Sequence, residues 1–128
     1  DILVAITPGG AETRHLVNAE VLEALGPQGI FINVARGSVC DQDALIAALR
    51  ERKILTAGLD VYADEPNVPK ELIEMEHVVL LPHVGSGTKH TRDAMGQLVV
   101  DNLRSFIGGR GPLTPVAETP WPATRRAS

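Results

Sequence analysis

Four short, uninterrupted apolar runs set the limits on what this chain can fold into: Asp1-Ile-Leu-Val-Ala-Ile6, Gly29-Ile-Phe-Ile-Asn33, the weaker Ile54-Leu-Thr-Ala-Gly-Leu-Asp60, and His77-Val-Val-Leu-Leu-Pro82. A strand that is apolar on both faces belongs to a parallel sheet covered by helices on both sides. The first run ends in Thr7-Pro8-Gly9-Gly10, which cannot continue a strand. That first run opens directly at Asp1, as expected of a piece cut from a longer protein.

Helical patterns fill the gaps. Asn18 is placed to cap Ala19–Leu25, which Gly26-Pro27 stops, and Asp41 to cap Gln42–Arg52, with Leu45, Ala48, Leu49 and Arg52 on one face. Lys70–Met75 has room for one or two turns after Pro69. The longest helix opens at Thr88 or Thr91 and carries Met95, Leu98, Val99, Asn102, Leu103, Phe106 and Ile107 at helical spacing until Gly108-Gly109. Strands alternating with helices in this way predict βαβ units in an α/β fold, and ligands of such sheets sit beyond the carboxyl ends of the strands.

Composition narrows the function classes. The 128 residues carry 12 Lys and Arg against 16 Asp and Glu, a net charge of −4, which argues against nucleic acid as the main partner. Aromatic residues are only 3%, so the core must be built from Leu, Val, Ile and Ala. A single cysteine excludes an internal disulfide framework and suits a reducing cytoplasm. No apolar run approaches the roughly 20 residues that span a bilayer, and no basic-then-apolar leader opens the chain.

Three of the four strand-end loops carry an ionisable residue in an otherwise apolar or small-residue setting. Arg36 follows Asn33-Val-Ala, Glu65 lies in Val61-Tyr-Ala-Asp-Glu-Pro66, and His83 follows Leu81-Pro82. Each alone reads as an ordinary surface or structural residue. Together, on successive strand ends, they can converge on one edge of the sheet. An arginine fork holds a carboxylate through paired charge-assisted hydrogen bonds. An imidazolium donates a proton to a carbonyl oxygen near neutral pH, and a carboxylate on its far nitrogen fixes the tautomer. The trio describes a site for a 2-keto or 2-hydroxy acid. Other constellations fail. Gly85-Ser-Gly-Thr-Lys-His90 has His where a dinucleotide fingerprint needs its third glycine, and Ser86 does not sit in a nucleophile elbow. His77, His83 and His90 have the wrong spacing for zinc. Cys40, before a helix start, reads as a buried inert thiol, and His15 and His90 as exposed helix-flank residues.

At these residues a family becomes visible. Leu25-Gly-Pro-Gln-Gly-Ile-Phe-Ile-Asn-Val-Ala-Arg-Gly-Ser-Val-Cys-Asp41 resembles the Asn-x-x-Arg-Gly signature of the D-isomer-specific 2-hydroxyacid dehydrogenases. Gly58-Leu-Asp-Val-Tyr-Ala-Asp-Glu-Pro66 and Leu81-Pro-His-Val-Gly-Ser-Gly-Thr88 resemble its two later motifs, in the right order, and Thr7-Pro-Gly-Gly-Ala-Glu-Thr-Arg-His15 its loop before the signature. The resemblance covers residues 1 to about 116 and is nearest to the glyoxylate/hydroxypyruvate reductase branch, including hydroxyphenylpyruvate-type reductases.

The resemblance implies a Rossmann-like domain that binds NAD or NADP, with NADPH favoured by the branch. It implies that Arg36 binds the substrate carboxylate and carbonyl oxygen, that His83 is the general acid/base and that Glu65 is its partner. Pro8, Thr13, Val34, Ala35, Arg36, Asp60, His83 and Gly85 would line the cofactor, with Asp60 near the nicotinamide carboxamide; Ser86 would join Arg36 and His83 at the substrate. The expected organisation is the C-terminal half of the nucleotide-binding domain over residues 1–110. A Pro-rich tail over 111–128 would lead back toward a substrate domain and end in disorder. A homodimer is implied for the full-length protein. The family's Gly-x-Gly-x-x-Gly turn would lie before Asp1, so residues 1–128 alone are expected to hold NAD(P) weakly, to show no turnover and to leave one sheet edge unfinished. The alternatives are a dehydrogenase-like scaffold or corepressor that senses NAD, and a relative of the phosphoglycerate or formate dehydrogenases.

Overall fold

The structure, a computed structural model, describes residues 1–118, 120 and 121. The disorder expected at the end of the tail falls on residues 122–128, outside the described residues. The chain divides into two compact units, Asp1–Gly85 and Ser86–Ser128.

In the first unit the four apolar runs form β1 (Ile2–Ala5), β2 (Ile30–Asn33), β3 (Thr56–Leu59) and β4 (Val78–Leu80). They lie side by side in chain order, every pair parallel. The register runs Ala5 to Asn33, Asn33 to Leu59 and Leu59 to Leu80, so the four carboxyl ends share one row.

Helices α1 (Ala19–Leu25), α2 (Gln42–Arg50) and the short α3 (Lys70–Ile73) connect the strands. Asn18 caps α1 by accepting the Val21 N–H, and Asp41 caps α2 by accepting that of Ala44 at 3.1 Å. Phe31, Ala57 and Leu59 from the sheet pack with Leu22, Leu45, Leu49, Ile54 and Leu72 in one buried cluster. The alternate strand residues point to the opposite face. There Ile30 and Ile32 are half-buried, while Val4 and Val79 are exposed.

Two helix ends differ from the sequence pattern. α2 stops at Arg50, and Arg52 leaves the apolar face for the left-handed region at φ 58°. The Lys53 N–H reaches back to the Ala48 carbonyl and the Arg52 N–H to that of Leu49, a Schellman closure made without glycine. α3 ends at Ile73, and the Met75 N–H closes one further turn on the Leu72 carbonyl. Two 3-10 turns, Ala11–Thr13 and Gly37–Val39, have no periodicity in sequence to announce them.

The second unit is built on α4 (Lys89–Ile107), capped by Thr88. Its stripe at helical spacing forms, but Leu98, Val99 and Leu103 are exposed and Ile107 is 83% exposed. Asn102, inside the stripe, holds the following chain: its Oδ1 accepts the N–H groups of Leu113 at 2.8 Å and Thr114 at 3.1 Å, while its Nδ2 donates to Leu98 O. Phe106 meets Trp121 edge to face with centroids 5.0 Å apart. No helix of the described residues is long and apolar enough to cross a membrane.

Burial and capping set different scales. Phe31→Ala is expected to cost about 3–5 kcal/mol of unfolding free energy, and Asp41→Ala only about 1 kcal/mol. Equilibrium urea denaturation of the two variants measures both.

Candidate active site

The shared row of strand ends brings three loops to one edge. At the end of β2, Asn33 is 2% exposed and turns its amide onto the backbone ahead of it. Its Oδ1 accepts the Ala35 N–H at 3.1 Å and its Nδ2 donates to the Arg36 carbonyl at 3.3 Å, folding the chain tightly so that Arg36 emerges exposed. The next residue must be glycine. A Cβ on Gly37 would lie 1.8 Å from the Tyr62 carbonyl oxygen and 2.5 Å from the Ala63 nitrogen, backbone atoms that cannot yield. Asn-x-x-Arg-Gly is thus a local fold: the amide shapes the loop and the glycine seats it against the loop after β3.

On that neighbouring loop, Glu65 is anchored at both oxygens. Oε1 accepts the Tyr62 N–H at 3.0 Å, and Oε2 meets His83 Nδ1 at 2.7 Å. The hydrogen bond from His83, followed by that from the Tyr62 N–H, holds the Glu65 carboxyl below the usual glutamate value. Tyr62 is buried, and its hydroxyl donates to the Leu81 carbonyl at 2.9 Å, two residues before His83. Burial raises its phenol pKa.

His83 takes a left-handed backbone at φ 54°, a conformation costing on the order of 1–3 kcal/mol for a non-glycine residue. Asp60, buried at the end of β3, offsets that cost. Its carboxylate accepts the N–H groups of Val84 at 2.8 Å and Gly85 at 2.9 Å, the two residues after His83. The ring is therefore held from both sides, by Glu65 at Nδ1 and by Asp60 through the turn.

Arg36, Glu65 and His83 line one cleft of about 890 Å³, with Thr7–Gly10, Val34, Ala35, Ser38 and Tyr62 in its walls. Of the residues expected at the cofactor, Pro8, Val34 and Ala35 stand in this cleft beside Arg36 and His83. Thr13 is not among the lining residues, and its hydroxyl donates to the Pro8 carbonyl at 2.8 Å. Asp60 and Gly85 are engaged with each other behind His83. Asp60 also borders a separate apolar hollow of about 320 Å³ with Ile30, Ile32 and Val79. Ser86 belongs to the second unit and is exposed.

Val34, 49% exposed, borders both this cleft and the apolar hollow. Sequence reasoning missed Tyr62 and Gly9, whose parts depend on neighbours distant in sequence. Cys40 is buried, and desolvation pushes its thiol up to about 12, the inert alternative. His15 and His90 are exposed.

Comparison with known proteins gives a consistent answer. Residues 1–85 match the family profile described as D-isomer specific 2-hydroxyacid dehydrogenase, NAD binding domain. Over 116 residues the chain is 52% identical to hydroxyphenylpyruvate reductase of Plectranthus scutellarioides, covering 91% of this chain and 37% of that protein. The identity, length and coverage are the same, 52% over 116 residues, for glyoxylate/hydroxypyruvate reductase A of Arabidopsis thaliana. The crystal structure of the NADPH-dependent glyoxylate/hydroxypyruvate reductase of Sinorhizobium meliloti with NADP and malonate superposes with a TM-score of 0.90 at 52% identity. It covers 100% of this chain and 39% of that one. The chain thus spans less than two fifths of the length of these relatives.

The depressed Glu65 carboxyl carries a pH prediction. A carboxyl held below its ordinary value of 4.5 contributes stability that is full above that value and lost as pH falls through the lower folded one. Glu65→Gln should therefore be less stable than wild type at pH 7, with the gap narrowing below about pH 4.5. Urea unfolding of both proteins from pH 7 down to pH 3 measures it; a gap independent of pH would mean that the His83 contact contributes nothing.

Proposed function

The chain belongs to the D-isomer-specific 2-hydroxyacid dehydrogenase family, and from that membership we propose that the protein carrying it moves a hydride between a nicotinamide dinucleotide and C2 of a small 2-keto or D-2-hydroxy acid. The observation that supports the reading best is the Glu65–His83 contact of 2.7 Å in the same cleft as an exposed arginine. Glyoxylate and hydroxypyruvate are the proposed substrates, because the Arabidopsis and Sinorhizobium relatives carry them in their names, and NADPH is the proposed reductant, because the Sinorhizobium enzyme is described as NADPH-dependent.

Arg36 has the first task. Its Nη1 donates to the Ala35 carbonyl at 2.7 Å, leaving the remaining guanidinium N–H groups for a substrate carboxylate and the adjacent carbonyl oxygen. His83 has the second. With Nδ1–H donating to Glu65, the opposite nitrogen Nε2 is directed to the substrate oxygen. In reduction, Nε2–H protonates the carbonyl oxygen as C2 becomes tetrahedral; in oxidation, neutral Nε2 removes the hydroxyl proton. Glu65 orients the ring and fixes its tautomer, and the Tyr62 N–H keeps Glu65 in place. Bound NAD(P)H supplies the hydride to C2, or NAD(P)+ accepts it. Pro8, Val34 and Ala35 would form its wall beside Arg36 and His83, with Thr13, Asp60 and Gly85 as further contacts. The proposed compartment is the cytoplasm and the proposed assembly a homodimer, which sedimentation of the intact protein tests.

Steady-state kinetics of the intact protein test the reading. His83→Asn keeps a polar side chain but loses the proton, so kcat for keto-acid reduction should fall roughly 10²–10⁴-fold. Arg36→Lys keeps the charge but loses the fork, so both KM and kcat should suffer. A wild-type protein that binds NAD(H) yet turns over no 2-keto acid would favour an NAD-sensing scaffold instead.

Glu65→Gln replaces the carboxylate that orients the His83 ring with a neutral amide, so kcat should fall in both reaction directions while KM for the keto acid changes less. Steady-state kinetics of wild type and variant in both directions measure it. An unchanged kcat would make Glu65 a bystander.

A further inference from the structure

Gly9 and Gly10 are adjacent glycines with different reasons to be glycine. Gly10 has φ 151°, a backbone conformation that L side chains rarely adopt, and the space around its missing side chain is open. Gly9 is the reverse case. Its φ lies outside the left-handed region, so its backbone would accept alanine, but the space is taken. A Cβ there would lie 2.7 Å from Arg36 Cγ, 3.3 Å from Arg36 Cβ and 3.8 Å from Arg36 Cδ. The aliphatic stem of the arginine lies across the bare backbone of Gly9.

Neither side of this contact is free to retreat. The Gly9 loop is held by the Thr13 hydroxyl, which donates to the Pro8 carbonyl at 2.8 Å. The Arg36 backbone is held by Asn33, which donates to its carbonyl, and by Gly37, seated on Tyr62. A methyl group at residue 9 would therefore displace the side chain of Arg36. The guanidinium, set by that stem and by its contact with the Ala35 carbonyl, would swing with it.

We propose that Gly9 is a positioning residue for Arg36: its bare backbone is the rest on which the arginine stem lies, and it aims the guanidinium at the substrate carboxylate. The proposal rests on the dehydrogenase reading for the identity of that carboxylate, though the contact itself stands without it.

The test is Gly9→Ala in the intact protein, with glyoxylate as substrate and NADPH as reductant. A misaimed fork should raise KM for glyoxylate about tenfold or more and lower kcat, since misplacement near 1 Å is felt strongly at a reacting centre. KM for NADPH should stay within about twofold. A loop that merely misfolds would reduce the active fraction, lowering kcat at unchanged KM, and that result would overturn the proposal. Residues acting through one another are not additive, so Gly9→Ala combined with Arg36→Ala, which removes stem and fork together, should lose less than the product of the two single losses; a full product would also overturn it. If wild type reduces no 2-keto acid, the dehydrogenase reading fails, and the aim at a substrate carboxylate fails with it. A melting cycle tests the contact itself and covers a Gly9→Ala variant that folds poorly. Gly9→Ala should lower Tm in wild type but leave it unchanged on an Arg36→Ala background, where the stem is gone. An equal loss on both backgrounds would mean that the methyl collides with something other than Arg36.

Discussion

The site depends on the parallel register. Because Ala5, Asn33, Leu59 and Leu80 stand in one row, residues far apart in sequence leave the sheet at the same edge. Arg36, Glu65 and His83 meet without any direct link in the chain. A one-residue slip in a strand would turn its side chains to the opposite face and carry its loop out of the cleft. The hydrogen bonds that continue the ladder past the strands carry the register into the loops: Val34 to Ala5, Asp60 to Asn33 and Leu81 to Leu59.

What the ladder begins, a few buried polar groups complete. Asn33, Asp60 and Tyr62 are at most 7% exposed and touch backbone atoms of the loops they shape. Buried polar groups that are fully satisfied specify one arrangement, because any alternative leaves them unpaired. Asp60 spends its carboxylate on the turn that holds His83, and Tyr62 ties the ends of β3 and β4 together through Leu81. The exposed trio therefore stands on a buried polar frame.

The strands were legible because uninterrupted apolar runs need burial. The caps at Asn18, Asp41 and Thr88 were legible because their chemistry is local. Arg36, Glu65 and His83 could be marked as a group because parallel strands align their ends. The end of α2 was not legible: the Schellman closure usually advertises itself with glycine, and here Arg52 takes the left-handed position. Nor was the part played by Gly9, Tyr62 or the Thr13 hydroxyl, since each acts on an atom in another loop or turn. A short sequence window does not contain those neighbours. The apolar stripe of α4 was legible as a stripe, but sequence periodicity alone could not single out Asn102 as the residue that holds Leu113 and Thr114.

The buried thiol has a practical consequence. Raised from 9.0 to about 12 and 3% exposed, Cys40 has about a thousandfold less thiolate near neutral pH than an ordinary cysteine, and what forms is shielded. Burial and the raised pKa make Cys40 a slow target for thiol-directed dyes and spin labels. Within residues 1–128, a cysteine introduced on an exposed site would react ahead of it, so distance or mobility reporters can be attached without first removing Cys40 from the core.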